Sequence, residues 1–369
     1  MSILHLHQLG RMDRLRRVEV LRGALDGVAD AMLLTKLVNV RWLTGFTGSA
    51  GMLLVGPRRL LLVTDGRYRE QAEEQLGDVG VDAEIEITSS PAELLRSASS
   101  GWGTVALEAD DVTWSMERQA ATEWFPAAEL VPTSGLVEEL RAVKDGAELD
   151  RIAAAAAIAD DALAGVASQL GNRPSEAEVA TELEAAMRRA GAEGPAFETI
   201  VAAGPHSAQP HHHPGSRRIE RGDLVVIDMG AMVDGYRSDM TRTFCIGEPS
   251  AEQRRLLDVV EAAHDAGVAA ARPGARTADV DAAARSVVRA AGWAEHFVHP
   301  TGHGLGLEIH EPLRLSATSD ATLAAGHAVT VEPGVYLPGL GGARLEDTLE
   351  ITPGGNRALT RSSTVPIVG

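Results

Sequence analysis

Two aspartates eleven residues apart, Asp228 and Asp239, lie in LVVIDMGAMVDGYRSDMTRTF, and two glutamates, Glu332 and Glu346, lie in AVTVEPGVY and ARLEDTLEI. Between these pairs comes HFVHPTGHGLGLEIHE, where His299, His303 and His310 are spaced by four and then seven residues. Three histidines within twelve residues, with Gly302, Gly304 and Gly306 around the middle one, point to metal ligation or proton transfer. The glycines exclude a regular helix and let the backbone come close to another group. Ten of the twelve histidines lie at or beyond His206, so the carboxy-terminal half is where a site is expected. Four carboxylates with one imidazole form a hard donor set suited to Mn²⁺, Co²⁺ or Fe²⁺ and tolerant of Zn²⁺. Their charge exceeds what one divalent ion neutralises, which argues for two ions that activate water and polarise a carbonyl. The reaction class is hydrolysis of an amide, ester or phosphoester.

The elements that must hold these groups are legible in part. Asp234-Gly235 between two strand-like runs is a hairpin signal. A turn there sets Asp239 opposite Gly230 and Asp228 on the same face, diagonally across from Asp239. Gly230, lacking a side chain, is expected to leave room for an ion. Paired carboxylates on apolar strands repel each other unless protonated or metal-bound. Thr330 shares a strand face with Glu332, and Arg344 and Thr348 share one with Glu346. The plain structural alternative makes Glu332-Pro333-Gly334 a strand end and Arg344 with Glu346 a surface ion pair.

The rest of the chain reads as two regions. From Arg14 to Val131 strands alternate with helices: a helix at 14–27, strands at 31–35, 81–87 and 104–108, helices at 67–76 and 113–125. Runs at 51–55 and 60–64 flank the Gly56-Pro57 turn as a hairpin. Such alternation implies an α/β layer architecture. Residues 137–169 read as one long helix with a break near Asp145-Gly146, the passage between domains at 1–136 and 137–369. Ser175 and Glu178 form a capping box for the next helix, and helices follow at 251–271 and 277–291.

The chain has 369 residues, room for two domains, and Lys+Arg 34 against Asp+Glu 52 leaves a net charge of −18. So acidic a surface repels phosphate backbones and anionic lipid heads, excluding nucleic-acid and membrane-surface partners. The single cysteine, Cys245, permits neither an intrachain disulfide nor a thiolate zinc site; it reads as a small apolar filler after a strand. The opening MSILHLHQLGRMDRLRR lacks the order of a secretory signal, and no uncharged run approaches a membrane span, so a cytoplasmic protein is expected. His5, His7, His264 and His327 lack partners in sequence; His212 and His213 read as loop residues, and Asp65 as a strand-end turn.

The order Asp, Asp, His in TGHGLGLEIHE, Glu in VEPGVY and Glu in ARLEDT resembles the pita-bread metallopeptidases, which include methionine aminopeptidase, aminopeptidase P and prolidase. NVRWLTGFTGSAG (Asn39–Gly51) is similar to the amino-terminal signature of the proline-directed members, and methionine aminopeptidases lack that domain. The resemblance spans essentially the whole chain. It implies a smaller amino-terminal α/β domain of ribonuclease-H-like, creatinase type and a carboxy-terminal pita-bread catalytic domain. It implies two divalent ions, Mn²⁺ first, with Co²⁺ or Zn²⁺ as alternatives. Asp228 and Asp239 would hold one, His303 and Glu332 the other, with Asp239 and Glu346 bridging. All five positions are intact, unlike those of creatinase and of metal-free binding members. His211 in SAQPH, His299 and His310 match active-site histidines, Glu332 a proton relay, Arg344 an arginine orienting Glu346, and Tyr336 a tyrosine near the cluster. Arg314, four beyond His310, is either a solvated loop arginine or the group that binds a proline carboxylate. Pro312-Leu313 departs from the commoner order there. The implied activity is cleavage before proline in short peptides with proline second, as Xaa-Pro dipeptidase or aminopeptidase, by a cytoplasmic homodimer. The alternatives are a non-catalytic peptide- or protein-binding member and a two-metal hydrolase of another substrate class.

Overall fold

Runs of three or four consecutive apolar residues build the sheet of the amino-terminal unit: Ala31–Leu34, Leu60–Thr64 and Thr104–Glu108 are buried almost throughout. The computed structural model describes residues 9–364 and 367–368; His5 and His7 lie outside them. The chain divides into two units, Arg11–Arg141 and Ala142–Gly369 with Met1–Gly10. In the first, six strands lie in the order Glu84–Ile87, Leu60–Thr64, Met52–Val55, Ala31–Leu34, Thr104–Glu108, Glu129–Thr133. The middle pairs are antiparallel, and the Gly56-Pro57 turn sets Val55 against Leu60. The flanking pairs are parallel. Two helices, Leu37–Thr44 and Ala92–Ala98, and the Glu129–Thr133 strand add to the elements read from sequence. The first overlaps the start of the motif read only as a signature, and Gly45 ends it in a left-handed conformation (φ 80°).

In the second unit, Leu224–Met229 pairs antiparallel with Met240–Ile246, from Leu224 opposite Cys245 to Met229 opposite Met240. The register continues to Val233 opposite Tyr236, with Asp234 and Gly235 at φ 46° and 76°. This is the twist-matched turn with two positive φ angles that Asp-Gly favours, and the register is the one the sequence predicts. Gly230 has another purpose than expected: a Cβ there would collide with the Ser238 carbonyl, so it admits the partner backbone rather than an ion. Cys245 lies inside the strand, not after it, and is buried.

A second sheet runs Glu311–Leu315, Gly302–Gly304, Ala328–Val331, Asp347–Thr352, Gly355–Ala358. Beside it, Gly334–Leu337 and Gly341–Arg344 form a two-stranded ribbon. The runs AVTVEPGVY and ARLEDTLEI are thus each split between two sheets: Glu332-Pro333 does end a strand, as one of the two readings had it, whereas Arg344 and Thr348 fall on strands of different sheets. Pro333 offers no N–H to a ladder, and Glu332 and Glu346 fall at the two breaks.

The 137–169 region forms two helices, Leu136–Ala142 and Gly146–Ala167, parted where Asp145-Gly146 indicates. Asp145 with Glu148, Ser175 with Glu178 and Ser250 with Gln253 complete capping boxes, each worth about 1 kcal/mol. Ile158 and Leu163 of the Gly146–Ala167 helix join Leu183 and Met187 of Glu176–Arg189 against Val225 and Ile227. Leu256 and Val260 of Ala251–Ala270 and Val288 of Thr277–Ala290 pack against Leu224, Val335 and Ala343. Among the described residues no helix is long and apolar enough to cross a membrane.

Candidate metal centre

Asp228 projects from the buried Leu224–Met229 strand, Asp239 immediately precedes its partner strand, and Glu332 and Glu346 occupy the breaks between sheets. His303 is the middle residue of Gly302–Gly304. A Cβ on Gly302 would strike the Thr330 carbonyl and one on Gly304 the Pro312 carbonyl. The glycines therefore let neighbouring strands close around the imidazole. His303 Nδ1 donates to the Gly304 carbonyl at 3.1 Å. That bond fixes the tautomer and leaves Nε2 a bare lone pair, 3.5 Å from both Asp239 Oδ2 and Glu332 Oε1. Ligand atoms of Asp239, His303 and Glu346 all lie within 4.8 Å of one another.

Arg344 is buried beside the nest and is no surface residue. Its Nη2 donates to Asp228 Oδ2 at 2.6 Å, its Nη1 to the Tyr336 hydroxyl at 2.7 Å and its Nε to Thr241 Oγ1 at 3.0 Å. Thr241 donates in turn to Glu346 Oε2 at 2.7 Å. Arg344 thus grips Asp228 directly and reaches Glu346 through a threonine. The sequence reading passed over Thr241, although the hairpin register sets it directly opposite Asp228.

The charges strain against one another. Burial first, then Asp228 and Glu332, holds the Asp239 carboxyl well above its usual range. Burial followed by Asp239 and Glu332 does the same to Glu346, and burial raises Glu332. Burial opposes the Arg344 charge, yet Tyr336 and the surrounding carboxylates hold its pKa well above the ordinary value. Asp228 Oδ1 is buried, and no donor among the described residues reaches it. An orphaned carboxylate oxygen beside carboxyls that resist ionisation is what a cation would relieve. The donor set fits the hard divalent ions implied by the sequence.

The histidines divide into two kinds. His299 Nδ1 donates to the Pro300 carbonyl at 2.8 Å, and its Nε2 lies 2.9 Å from the Tyr336 hydroxyl. That hydroxyl accepts from Arg344, so it donates to His299, whose pKa is pushed down to about 4 by burial and then Arg344. Burial also drives the Tyr336 phenol up to about 12. His310 and His211 are exposed instead. The His310 ring packs edge-on against His303 with centroids 4.4 Å apart, and burial, then His303, lowers its pKa.

All five candidate ligands line a cavity of about 370 Å³, with His211, His299, His310, Arg314 and Arg344. Phe197, Ile200 and Ile309 supply an apolar wall. The volume lies in the ordinary range for small-ligand sites. Arg314 is exposed on the Glu311–Leu315 strand and makes no hydrogen bond or ion pair among the described residues. Leu313 before it has φ 87°, an uncommon strain for a side-chain-bearing residue. Two further features escaped the sequence reading. Glu311 pairs with Lys144 at 2.8 Å, both side chains 1% exposed. His212 contacts Glu176 rather than standing as a simple loop residue.

The fold and the nest together define a class, a two-unit α/β protein with a hard-donor cluster lining its cavity. The profile of metallopeptidase family M24 matches residues 150–353, and that of the creatinase/prolidase N-terminal domain matches 14–143. The chain belongs to this metallopeptidase family, with the expected creatinase-type domain ahead of a pita-bread catalytic domain. Xaa-Pro dipeptidase from Pyrococcus furiosus is 36% identical to it over 90% of this chain and 94% of that one. Among solved structures, an Xaa-Pro dipeptidase from Bacillus anthracis superposes with a TM-score of 0.92 at 39% identity, covering 97% of this chain and 100% of that one. An X-Pro aminopeptidase from Thermotoga maritima gives 0.87 at 34% identity, covering 95% and 99%.

Proposed function

We propose that this protein is a two-metal Xaa-Pro peptidase that prefers dipeptides. The observation that supports it most is the nest itself, in which repelling, underdonated carboxylates and a bare imidazole nitrogen meet at the floor of a peptide-sized cavity. Asp228 and Asp239 would hold one divalent ion, His303 and Glu332 the second, with Asp239 and Glu346 shared; Mn²⁺ suits the donors best, and Co²⁺ or Zn²⁺ would also fit. When bound, such a pair supplies an activated water and a Lewis acid for the scissile carbonyl.

The remaining work falls to the chain's own side chains. Arg344 holds Asp228 and, through Thr241, sets the Glu346 carboxylate. As in any amide cleavage, the departing nitrogen, here that of the proline ring, must gain a proton to leave. Glu332, at the cavity and raised by burial, takes a proton and delivers it there. His310 and His211 face the cavity and donate N–H groups to the oxygen as negative charge develops. His299 has both nitrogens engaged; it positions Tyr336 and Arg344 rather than shuttling protons.

Arg314 supports the dipeptide preference, because a guanidinium at the cavity with no hydrogen-bond or ion-pair partner among the described residues fits the carboxylate of a carboxy-terminal proline. With Mn²⁺-loaded protein, Xaa-Pro dipeptides should outcompete Xaa-Pro-Yaa tripeptides in kcat/KM. Arg314→Ala should lower dipeptide turnover by about 10- to 100-fold while sparing tripeptides. A tripeptide preference in the unmodified protein would move it to the aminopeptidase side, and inactivity on both would reject the proline-directed reading. The same proposal makes the protein a cytoplasmic homodimer, so sedimentation should give twice the chain mass.

A further inference from the structure

Glu176 opens the Glu176–Arg189 helix, and its side chain is fully buried. Its carboxylate receives four hydrogen bonds. Oε1 accepts from the Ala203 N–H at 2.9 Å and lies 2.8 Å from His206 Nδ1. Oε2 accepts from the Gly215 N–H at 3.1 Å and lies 2.9 Å from His212 Nε2. The two imidazoles stack with centroids 4.2 Å apart and planes at 33°. One nitrogen of each ring and a carboxylate oxygen lie within 4.8 Å of one another. None of the three lines the cavity of the carboxylate nest.

We propose that Glu176, His206 and His212 form a separate site for a borderline divalent transition ion of the Zn²⁺ type, clipped across the segment that carries His211 into the cavity. Ligands around a tetrahedral zinc stand about 3.4 Å apart, so small rotations of two rings that are not fully buried close the set. The two backbone donors stay on the carboxylate and hold its orientation, the outer hydrogen bonding that metal-bound carboxylates require. Binding the ion requires each neutral imidazole to shift its proton from the nitrogen that now donates to Glu176 to the other ring nitrogen, a tautomer change that releases no net proton. Two nitrogens and one oxygen make this donor set softer than the nest, favouring Zn²⁺ or Ni²⁺ over Mn²⁺. His206 and His212 bracket His211, and an ion joining them would pin the segment between.

Equilibrium dialysis of the full chain against Zn²⁺, followed by metal counting, tests the site. Wild-type protein should hold one more Zn²⁺ per chain than His206→Ala or His212→Ala; dialysis against Mn²⁺ should show no such difference. The reading is a difference, so it stands whether or not the carboxylate nest takes its own ions. Equal Zn²⁺ counts would overturn the proposal. Zinc-edge diffraction from the unaltered protein guards against a misfolded variant: a peak among Glu176, His206 and His212 is expected, and its absence in Zn²⁺-soaked crystals would also overturn it.

Discussion

In the amino-terminal unit the buried carboxylate of Glu108 accepts from the Thr35 and Lys36 N–H groups and the Asn39 amide at 2.6 to 2.8 Å. Asn39 also donates to Glu138 at 2.8 Å, Lys36 adds a bond to Glu138 at 3.1 Å, and Arg141 donates to Asn39 Oδ1 at 2.7 Å. In the carboxy-terminal unit the nest holds four carboxylates, yet among the described residues no donor reaches Asp228 Oδ1, and one hydroxyl, that of Thr241, reaches the Glu346 carboxylate. Both are buried acidic groups in small polar networks. What separates these two is donor count: three donors surround the Glu108 carboxylate, so its charge is structural, whereas the nest is short of donors and its charge awaits a cation.

The largest test of that contrast is removal of a nest carboxylate. Asp239→Ala and Glu346→Ala should each lower kcat/KM by about 10³-fold or more. Thermal stability in chelator should hold or rise, since a repelling group has gone. Melting before turnover is lost would place the nest with the structural networks. Glu108→Ala should behave in the opposite sense. It leaves buried donors unmatched and should cost about 2 to 3 kcal/mol of stability by denaturant titration, with kcat unchanged.

Thr241→Val keeps shape and removes the hydroxyl between Arg344 and Glu346. A loss of about tenfold in kcat is expected, and an unchanged kcat would mean that Arg344 acts on Asp228 alone. A smaller, pH-dependent effect concerns His327, whose pKa burial and then Lys144 lower to about 4. Its Nδ1 accepts the Ala324 N–H at 3.1 Å and must stay unprotonated. The unfolded chain binds this proton near pH 6.5, about where free histidine titrates. The stabilisation is therefore complete above that pH and is lost as pH falls toward 4. His327→Gln should flatten the stability profile across that window; an unchanged slope would assign the acid loss elsewhere.

Much of this contrast could be read before any coordinates. Asp234-Gly235 dictated the hairpin register, because a two-residue turn of positive φ leaves one way to pair the strands, and with it the Asp228 and Asp239 face. The same register contained Thr241, opposite Asp228, but a threonine in a strand looks like β propensity and carries no chemical mark. The splitting of AVTVEPGVY and ARLEDTLEI was less legible: Pro333 signalled the first break, whereas nothing local marks the one at Leu345-Glu346, which depends on the neighbouring sheets. Glu176 was invisible as a partner for His206 and His212, since residues thirty and thirty-six positions apart meet through tertiary packing alone. Helix Leu37–Thr44 was lost because its glycine-rich flank reads as loop.

The central claim is that the underdonated nest captures a pair of divalent ions. Manganese-edge anomalous diffraction from Mn²⁺-equilibrated crystals tests it directly. Two peaks are predicted, one against Asp228 and Asp239, the other against His303 and Glu332, with Asp239 and Glu346 shared by both. Full occupancy of the crystal in Mn²⁺ buffer with no peak among these five side chains would contradict it.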